Sequence, residues 1–331
     1  MRVDCGVLNR SVAVISVAMN RTNHLLDSVR SISQLSFYSE CIIVDFGSSS
    51  PILRKDLPDD DRFKLVRIES PDGKWWLTHA FNLAFALSQS DYILKLDADI
   101  TLGSDFADTL LASLNQSSAH LLCNRLTTQD WCLPDTLFTT NGLFLCKRSS
   151  LEALNGFNPY IRGWGWDEID LYSRFFLAGF PIARLPHNGL ELIEHGDDQR
   201  EAPIRPNPWR IQAPWITKKA AEPRNRMRAH NEKNRQIAIA SIVKGLSWPS
   251  LADYKEAYLN TGSLPSLPKV NLFDHNEYEQ LLSVVARRLL NPSHPTEAMY
   301  RVLRKLGLGP YAPTTARQLL DACGVDLSLV T

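Results

Sequence analysis

The chain has 331 residues, more than one hydrophobic core usually serves, so the sequence predicts one large domain with a smaller appendage. Apolar residues make up 44% and charged residues 22%, and 36 Lys and Arg balance 36 Asp and Glu. That balance argues against a protein built on whole-surface attraction to nucleic acid, so no nucleic-acid partner is expected. No apolar run approaches the ~20 residues of a membrane span, and the opening Met1-Arg2-Val3-Asp4-Cys5 lacks a signal-peptide core. Cysteines 5, 41, 123, 132, 146 and 323 form no CxxC pair, which reads as free thiols in a reducing compartment. The expected location is the cytoplasm.

In chain order, residues 11–18 are nearly all apolar and rich in β-branched side chains, which predicts a buried strand. A helix is expected over 23–35, with Leu25, Leu26, Val29 and Ile32 at helical spacing. Residues 41–45 form the next strand, closed by the turn formers Gly47, Ser48, Ser49, Ser50 and Pro51. A third strand is expected over 63–68, a helix over 77–87, and a fourth strand over 92–96 that runs into Asp97-Ala98-Asp99. Strands alternating with helices across short connections predict an open α/β sheet, mainly parallel. Such sheets bind ligands at the carboxyl ends of their strands, where Asp45 and the Asp97/Asp99 pair fall. Beyond residue 200 the character changes. Pro203, Pro206, Pro208 and Pro214 break regular structure, and the segment from Lys218 to Arg235 holds seven Lys or Arg. Short helical runs follow over 251–259, 277–290, 296–306 and 314–323, punctuated by prolines. The expected organisation is a catalytic domain over 1–200, a Pro-rich then basic linker over 201–247, and a small C-terminal helical module over 248–331.

Three constellations carry chemistry. In a strand, residues i and i+2 face the same way, so Asp97 and Asp99 can point together into the crevice. Two carboxylates on rigid backbone are a partial shell for a hard divalent cation, Mn2+ or Mg2+, completed by diphosphate oxygens and water. The plainer alternative is a pair of turn or helix-capping aspartates. Lys95 shares the parity of both acids, so it either neutralises them, reaches a phosphate, or is a solvent-reaching lysine at a sheet edge. In Gly163-Trp164-Gly165-Trp166-Asp167-Glu168-Ile169-Asp170 the glycines allow close backbone approach and the tryptophans offer faces on which sugars stack. A helix is expected from Asp167, with Asp170 and Arg174 as an i,i+4 pair and Gly179 and Pro181 as its stop. Asp167 and Glu168 then sit at a helix N-terminus, where the dipole favours an ionised carboxylate able to act as a base. The plainer alternative is a capped helix beside an ordinary core tryptophan. Lastly, His195 closes a short apolar run over 190–193 that reads as the last strand of the domain, and a neutral imidazole beside two carboxylates suits Mn2+.

Together these motifs resemble the nucleotide-sugar-dependent glycosyltransferases of the GT-A fold. The likeness is to family 2 and to members, such as bacterial chondroitin polymerase and the β-galactosyltransferases, with a Gly-Trp-Gly-x-Glu-Asp segment. It covers roughly residues 11–200, and rests on Ser16-Val17-Ala18-Met19-Asn20-Arg21, Val44-Asp45-Phe46-Gly47-Ser48-Ser49, Leu96-Asp97-Ala98-Asp99, Asn141-Gly142, Asn155-Gly156-Phe157 and residues 163–170. The resemblance implies an inverting, metal-dependent hexosyl- or hexosaminyltransferase in polysaccharide or glycoconjugate synthesis. Its implied donor is a nucleoside-diphosphate sugar, a UDP-sugar favoured, and its implied acceptor a glycan or lipid-linked hydroxyl. Glu168 stands at the general base and Asp167 beside it on the acceptor side, with Trp164, Trp166 and Asp170 as acceptor contacts. Asp45, Asp97, Lys95, Asn20, Arg21, Asn141 and Gly142 stand at the nucleotide-sugar side, and Asp97, Asp99 and His195 at the metal. The sequence departs from the family pattern at Phe46 (second Asp of Val-Asp-Asp-Gly-Ser), at Phe81 (Arg of an Arg-Asn pair) and in the Asp-Glu order at 167–168. Residues 201–331 offer a route to the inner membrane face or a partner subunit. Two other readings stay open: a non-catalytic sugar-nucleotide-binding or scaffold subunit, and a nucleotidyltransferase. Against the latter, the segment 19–23 has no glycine for a phosphate loop.

Overall fold

The computed structural model describes residues 10–70, 73–124, 142–163, 165–193 and 245–270, together with 234, 237, 238, 240 and 241. Strand β1 (Val12–Ala18) is buried along its whole length because it lies inside the sheet, between β2 (Glu40–Phe46) and β4 (Tyr92–Lys95). Alternation along β1 feeds two apolar layers. Val12, Val14 and Ala18 pack with Leu25, Val29 and Ile32 of helix α1 (Thr22–Ser33) and with Phe106, Leu110 and Leu114 of α3 (Ser104–Gln116). Ala13, Ile15 and Val17 face the other layer, with Ala80, Phe81 and Phe85 of α2 (Leu77–Leu87). The Leu25, Val29, Ile32 spacing that predicts α1 is thus the stripe it buries. Lys95 follows the parity of Ile93, so the strand turns it toward α2.

Among the described residues the main sheet has seven strands in the order β3-β2-β1-β4-β7-β6-β8, with β3 (Phe63–Ile68), β6 (Leu121–Cys123), β7 (Phe144–Lys147) and β8 (Ile182–Arg184). Pairings β1–β2, β1–β4, β2–β3 and β6–β8 are parallel, and β7 runs antiparallel to both β4 and β6. The expected mainly parallel α/β sheet is therefore present, with one reversed strand. The order 3-2-1-4 puts a topological switch between β1 and β4, and the crevice beyond their carboxyl ends is the place such a sheet offers a ligand.

The run over 190–193 is not a strand of that sheet. Leu190–Leu192, β9, pairs antiparallel with β5 (Ile100–Leu102) in a separate two-stranded ribbon directly after Asp99. Beyond β7, α4 (Arg148–Ala153) leads to a turn at Gly156, whose φ is +66°. A Cβ there would lie 2.4 Å from Asn82 Oδ1, so the close approach of α2 requires glycine. Asn82 clasps the turn in both directions: its Nδ2 donates to Phe157 O at 2.9 Å and its Oδ1 accepts from Phe157 N at 2.7 Å. Trp76 Nε1 and Thr78 Oγ1 donate to the carbonyls of Pro159 and Ile161. α2 thereby carries the segment leading into α5 (Asp167–Leu177).

The first helix expected of the C-terminal module is present as α6 (Leu251–Thr261), begun by a Ser250–Asp253 capping box and ended by the left-handed Gly262. It packs on α2 rather than standing apart. Leu251 and Tyr254 join the core layer of that face, and Tyr254 Oη lies 2.8 Å from His79 Nδ1. Trp248 Nε1 donates to Asn155 O, and Tyr160 Oη donates to Ser247 O and Pro268 O. The other helical runs expected over 277–323, and all but Asn234 of the basic stretch, lie outside the described residues. No helix among the described residues is long and apolar enough to cross a membrane.

Candidate active site

At the carboxyl end of β4 the strand delivers Lys95, then Asp97 and Asp99. Lys95 is fully buried; its Nζ donates to Asp97 Oδ1 at 2.7 Å and to Glu168 Oε1 at 3.0 Å, and lies 4.7 Å from the centroid of the Phe81 ring. The solvent-reaching alternative for Lys95 is thereby overturned: the ammonium is enclosed between the two acids. Phe81, marked in the sequence as a departure, is the aromatic face under that ammonium. Gly142 closes the other side: a Cβ would fall 2.0 Å from Asp97 Oδ2 and 2.9 Å from Lys95 Nζ. Asp99 is set apart from this bridge and pairs with Arg21 Nη1 at 3.5 Å.

The electrostatics follow from the enclosure. Burial opposes the charge on Glu168, but Lys95 and a hydrogen bond from Asp167 outweigh it and hold its carboxyl below the ordinary range. Burial and the neighbouring Glu168 charge push Asp167 well above that range. The enclosure thus favours the charge on Glu168 over that on Asp167. Burial and the charge of Asp99 raise Asp97 despite Lys95. Lys95 stays charged, since its acidic neighbours, Asp97 first and then Glu168, outweigh its burial.

The loops after β1 and β2 are tied together. Asn20, at φ +57°, donates its N–H to Ser48 Oγ and accepts with Oδ1 from Ser49 N and Oγ at 2.9 Å each. Beside this knot lies an open cavity of about 780 Å³ lined by residues 19–24, Ser49, Ser50, Gly73 and Lys74. It includes the first turn of α1, whose backbone N–H groups suit an anion.

The other residues singled out in the sequence are placed as follows. Asp45 is not open to a ligand: it is fully buried, Oδ1 accepts from Ser48 N at 3.0 Å, and Oδ2 accepts from Ile52 N at 3.1 Å and Arg67 Nη1 at 2.5 Å. Its work is to fold the loop after β2, and its cross-strand register partner Arg67 supplies the countercharge. Asp170 is likewise turned inward, paired with Arg174 at 2.8 Å, while Arg174 also donates to Leu154 O and Gly156 O. This pair locks α5 onto the Gly156 turn instead of presenting a carboxylate to an acceptor. Trp166 is half-buried at φ +72°, an unusual backbone for a bulky residue, and packs against Tyr160, Ile161, Ile237 and Ala238. Asn234, which nothing in the sequence singles out, donates Nδ2 to Arg162 O at 2.8 Å and Gly165 O at 2.9 Å, pinning the loop that leads to Asp167. Asn141, Trp164 and His195 lie outside the described residues.

Asp97 and Asp99 could hold a divalent cation, as hard oxygen ligands whose mutual repulsion a cation would relieve. Among the described residues no third His, Cys, Asp or Glu completes a cluster. Ile193 N donates to Asp99 O at 2.8 Å, which ties the ribbon to Asp99 two residues before His195.

Residues 13–154 match the family model "Glycosyl transferase family 2", and residues 125–196 match "N-terminal domain of galactosyltransferase". No curated protein matches the chain. Among solved structures, a mannosyltransferase from Pyrobaculum calidifontis in complex with GDP-Man and Mn2+ is similar at 16% identity and TM-score 0.47, over 95% of this chain and 86% of that one. Glucosyl-3-phosphoglycerate synthase from Mycobacterium tuberculosis, in complex with Mn2+, UDP and phosphoglyceric acid, is similar at 19% identity and TM-score 0.41, over 58% and 73%. The catalytic domain of Drosophila β1,4-galactosyltransferase 7 in complex with xylobiose is similar at 17% identity and TM-score 0.40, over 61% and 77%. Residues 13–154 thus carry a family 2-like glycosyltransferase region, laid on a mixed, mostly parallel sheet.

Proposed function

We propose that the chain is an inverting transferase that moves a hexosyl or hexosaminyl group from a nucleoside-diphosphate sugar, a UDP-sugar by preference, to a hydroxyl of a glycan or lipid-linked acceptor in polysaccharide or glycoconjugate synthesis. The observation that carries this reading is the enclosed, ionised Glu168 carboxylate, one ammonium away from Asp97 at the carboxyl end of β4. An acceptor hydroxyl is a weak nucleophile until its proton is taken, and Glu168 is the group in reach with the charge to take it. As the acceptor oxygen bonds to the anomeric carbon, the bond to the diphosphate oxygen breaks, and a single displacement inverts the configuration. The cavity over residues 19–24 is of a size for a nucleotide, and Arg21 with the first turn of α1 suits the diphosphate. A Mn2+ or Mg2+ ion held by Asp97 and Asp99, with His195 as the expected third ligand, would supply Lewis-acid stabilisation of the departing diphosphate. Asp167, whose carboxyl burial and the Glu168 charge push up, hydrogen-bonds to Glu168 and fixes the base.

The test is calorimetric. UDP should bind in the presence of Mn2+ and lose at least about tenfold in affinity in EDTA or in Asp99→Ala, a difference of roughly 1.4 kcal/mol. Incubation with UDP-sugars and no acceptor should release UDP slowly. Unchanged affinity in EDTA would sink the metal, and binding with no release from any sugar nucleotide would leave the scaffold reading.

A further inference from the structure

Lys95 spends more than its sequence context requires. A lysine sealed from water in the middle of a sheet is costly unless its charge is met on every side. Here two of its N–H groups go to carboxylates on opposite halves of the site. Asp97 follows β4 directly, on the donor side; Glu168 opens α5, on the acceptor side. The Phe81 face lies at 4.7 Å from the ammonium, and Gly142 approaches so closely that a Cβ would come 2.9 Å from Nζ. α5 is fixed in turn by Asp170–Arg174, and the loop before it by Asn234. Each half thus has its own scaffold, and the ammonium spans the gap between them.

We infer that Lys95 is a positioning residue that holds the base Glu168 in register with the metal-side Asp97, so that acceptor oxygen and anomeric carbon meet at reacting distance; this rests on the reading of Glu168 as the base. A misplacement of about 1 Å at a reacting centre costs on the order of 10²-fold in rate. Lys95 works through Glu168 and Asp97 and touches neither substrate.

A double-mutant cycle on the full chain tests it. The rate readout is hydrolysis of UDP-glucose, UDP-galactose and their N-acetylhexosamine counterparts, with water in place of the acceptor. The second readout is the affinity for Mn2+ alone. Lys95→Met should lower kcat about 10²-fold while KM for the sugar nucleotide stays within about threefold. In the Glu168→Gln background the same change should cost less than about threefold more, because the base it positions is already gone. Glu168→Gln should weaken Mn2+ binding in the wild-type background and leave it within about twofold in the Lys95→Met background, because nothing then links the two acids. Lys95→Arg, which keeps the charge, should recover part of kcat, an effect that a structural filler would not produce. If Lys95→Met fails to fold, Lys95→Gln enters the same cycle. Multiplying rate effects, or an equal Mn2+ shift in both backgrounds, would overturn the positioning role. Glu168→Gln hydrolysing at the wild-type rate would instead overturn the base itself.

Discussion

Two carboxylates side by side at the start of α5 have opposite fates, and the difference is environment. Glu168 touches Lys95, which holds its carboxyl down; Asp167 is buried with the Glu168 charge for its neighbour, and its carboxyl is pushed up. Glu168→Gln retains shape and hydrogen-bonding capacity but cannot take a proton, so turnover should fall by about 10²–10⁴, with donor affinity unchanged at saturating Mn2+. The measurement is kcat for UDP-sugar hydrolysis beside the Kd of UDP with Mn2+; a loss within a few-fold would move the base to another residue. Sequence parity put Lys95 with Asp97, but Glu168 lies 73 positions further on and no local pattern could link them. The inward turn of Asp45 is illegible in the sequence for a related reason. A strand-end aspartate reads as ligand-facing, and what turns it inward is Arg67 on the neighbouring strand, visible once β2 and β3 are in register. Asn234 carried no signal at all, since an asparagine clamp on two distant carbonyls has no spacing.

Elements were legible in proportion to their length. β1, β2, β3, α1, α2 and α5 are long enough for their burial period to show, and their limits in the sequence agree with the structure to within two residues. The three-residue strands β5, β6, β8 and β9 are held by pairing rather than pattern, so the strand expected over 190–193 is present, while its place in a ribbon with β5 has no signal in the sequence. The same pairing logic explains Glu40, at the amino end of β2. It is nearly fully buried and collects hydrogen bonds from Ser88 Oγ, Gln89 N, Ser90 N and Ser90 Oγ, with Lys64 Nζ at 2.6 Å. Glu40 thereby staples the turn between α2 and β4 that launches Lys95 and Asp97. Burial would raise its pKa, yet these donors bring it down from 4.5 to about 2. A depressed folded-state pKa means that the carboxylate's contribution is complete above the unfolded value, near 4.5, and is lost as pH falls toward 2. The shift corresponds to roughly 3 kcal/mol. Glu40→Gln should therefore be less stable than wild type at pH 7, by an amount that shrinks on acidification below about pH 4.5, as urea denaturation at pH 7 and pH 3 can measure. A gap of constant size across that range would mean that Glu40 is not stabilising through its charge.

At the scale of the molecule, the composition break near residue 200 suggested a catalytic domain that stops there, but the described residues beyond 233 are woven into it. Asn234 holds the loop before α5, Ser241 accepts from Asn158 Nδ2 at 2.9 Å, and Trp248 stands over the Arg174 guanidinium at 5.1 Å. Leu251 lies close enough to Gly156 that a Cβ there would come within 2.9 Å of Leu251 Cδ2, and Tyr254 is sealed against His79. These contacts converge on the Asn155–Phe157 turn and on α2, the same parts that carry α5 and sit under Lys95. Proline spacing and a run of basic residues mark where regular structure breaks, and they say nothing about whether the chain returns to the core afterwards. Burying a side chain such as Leu251 or Tyr254 stabilises by about 1.5–3 kcal/mol each, and Tyr254→Ala, which leaves a cavity, should cost about 3–5 kcal/mol. A chain ending at residue 200 loses both side chains, the Asn234 clamp and the Trp248 contact, against a whole-domain stability of about 5–15 kcal/mol. Residues 1–200 alone should therefore be unfolded or melt far below residues 1–270, whereas 1–270 should melt cooperatively and bind UDP with Mn2+. Thermal unfolding followed by circular dichroism on the two chains decides between the views. Equal melting temperatures would mean that α6 is an appendage docked on a self-sufficient domain, as the composition break alone suggests. A large gap would mean that the acceptor-side half of the site is built by the segment that follows the break.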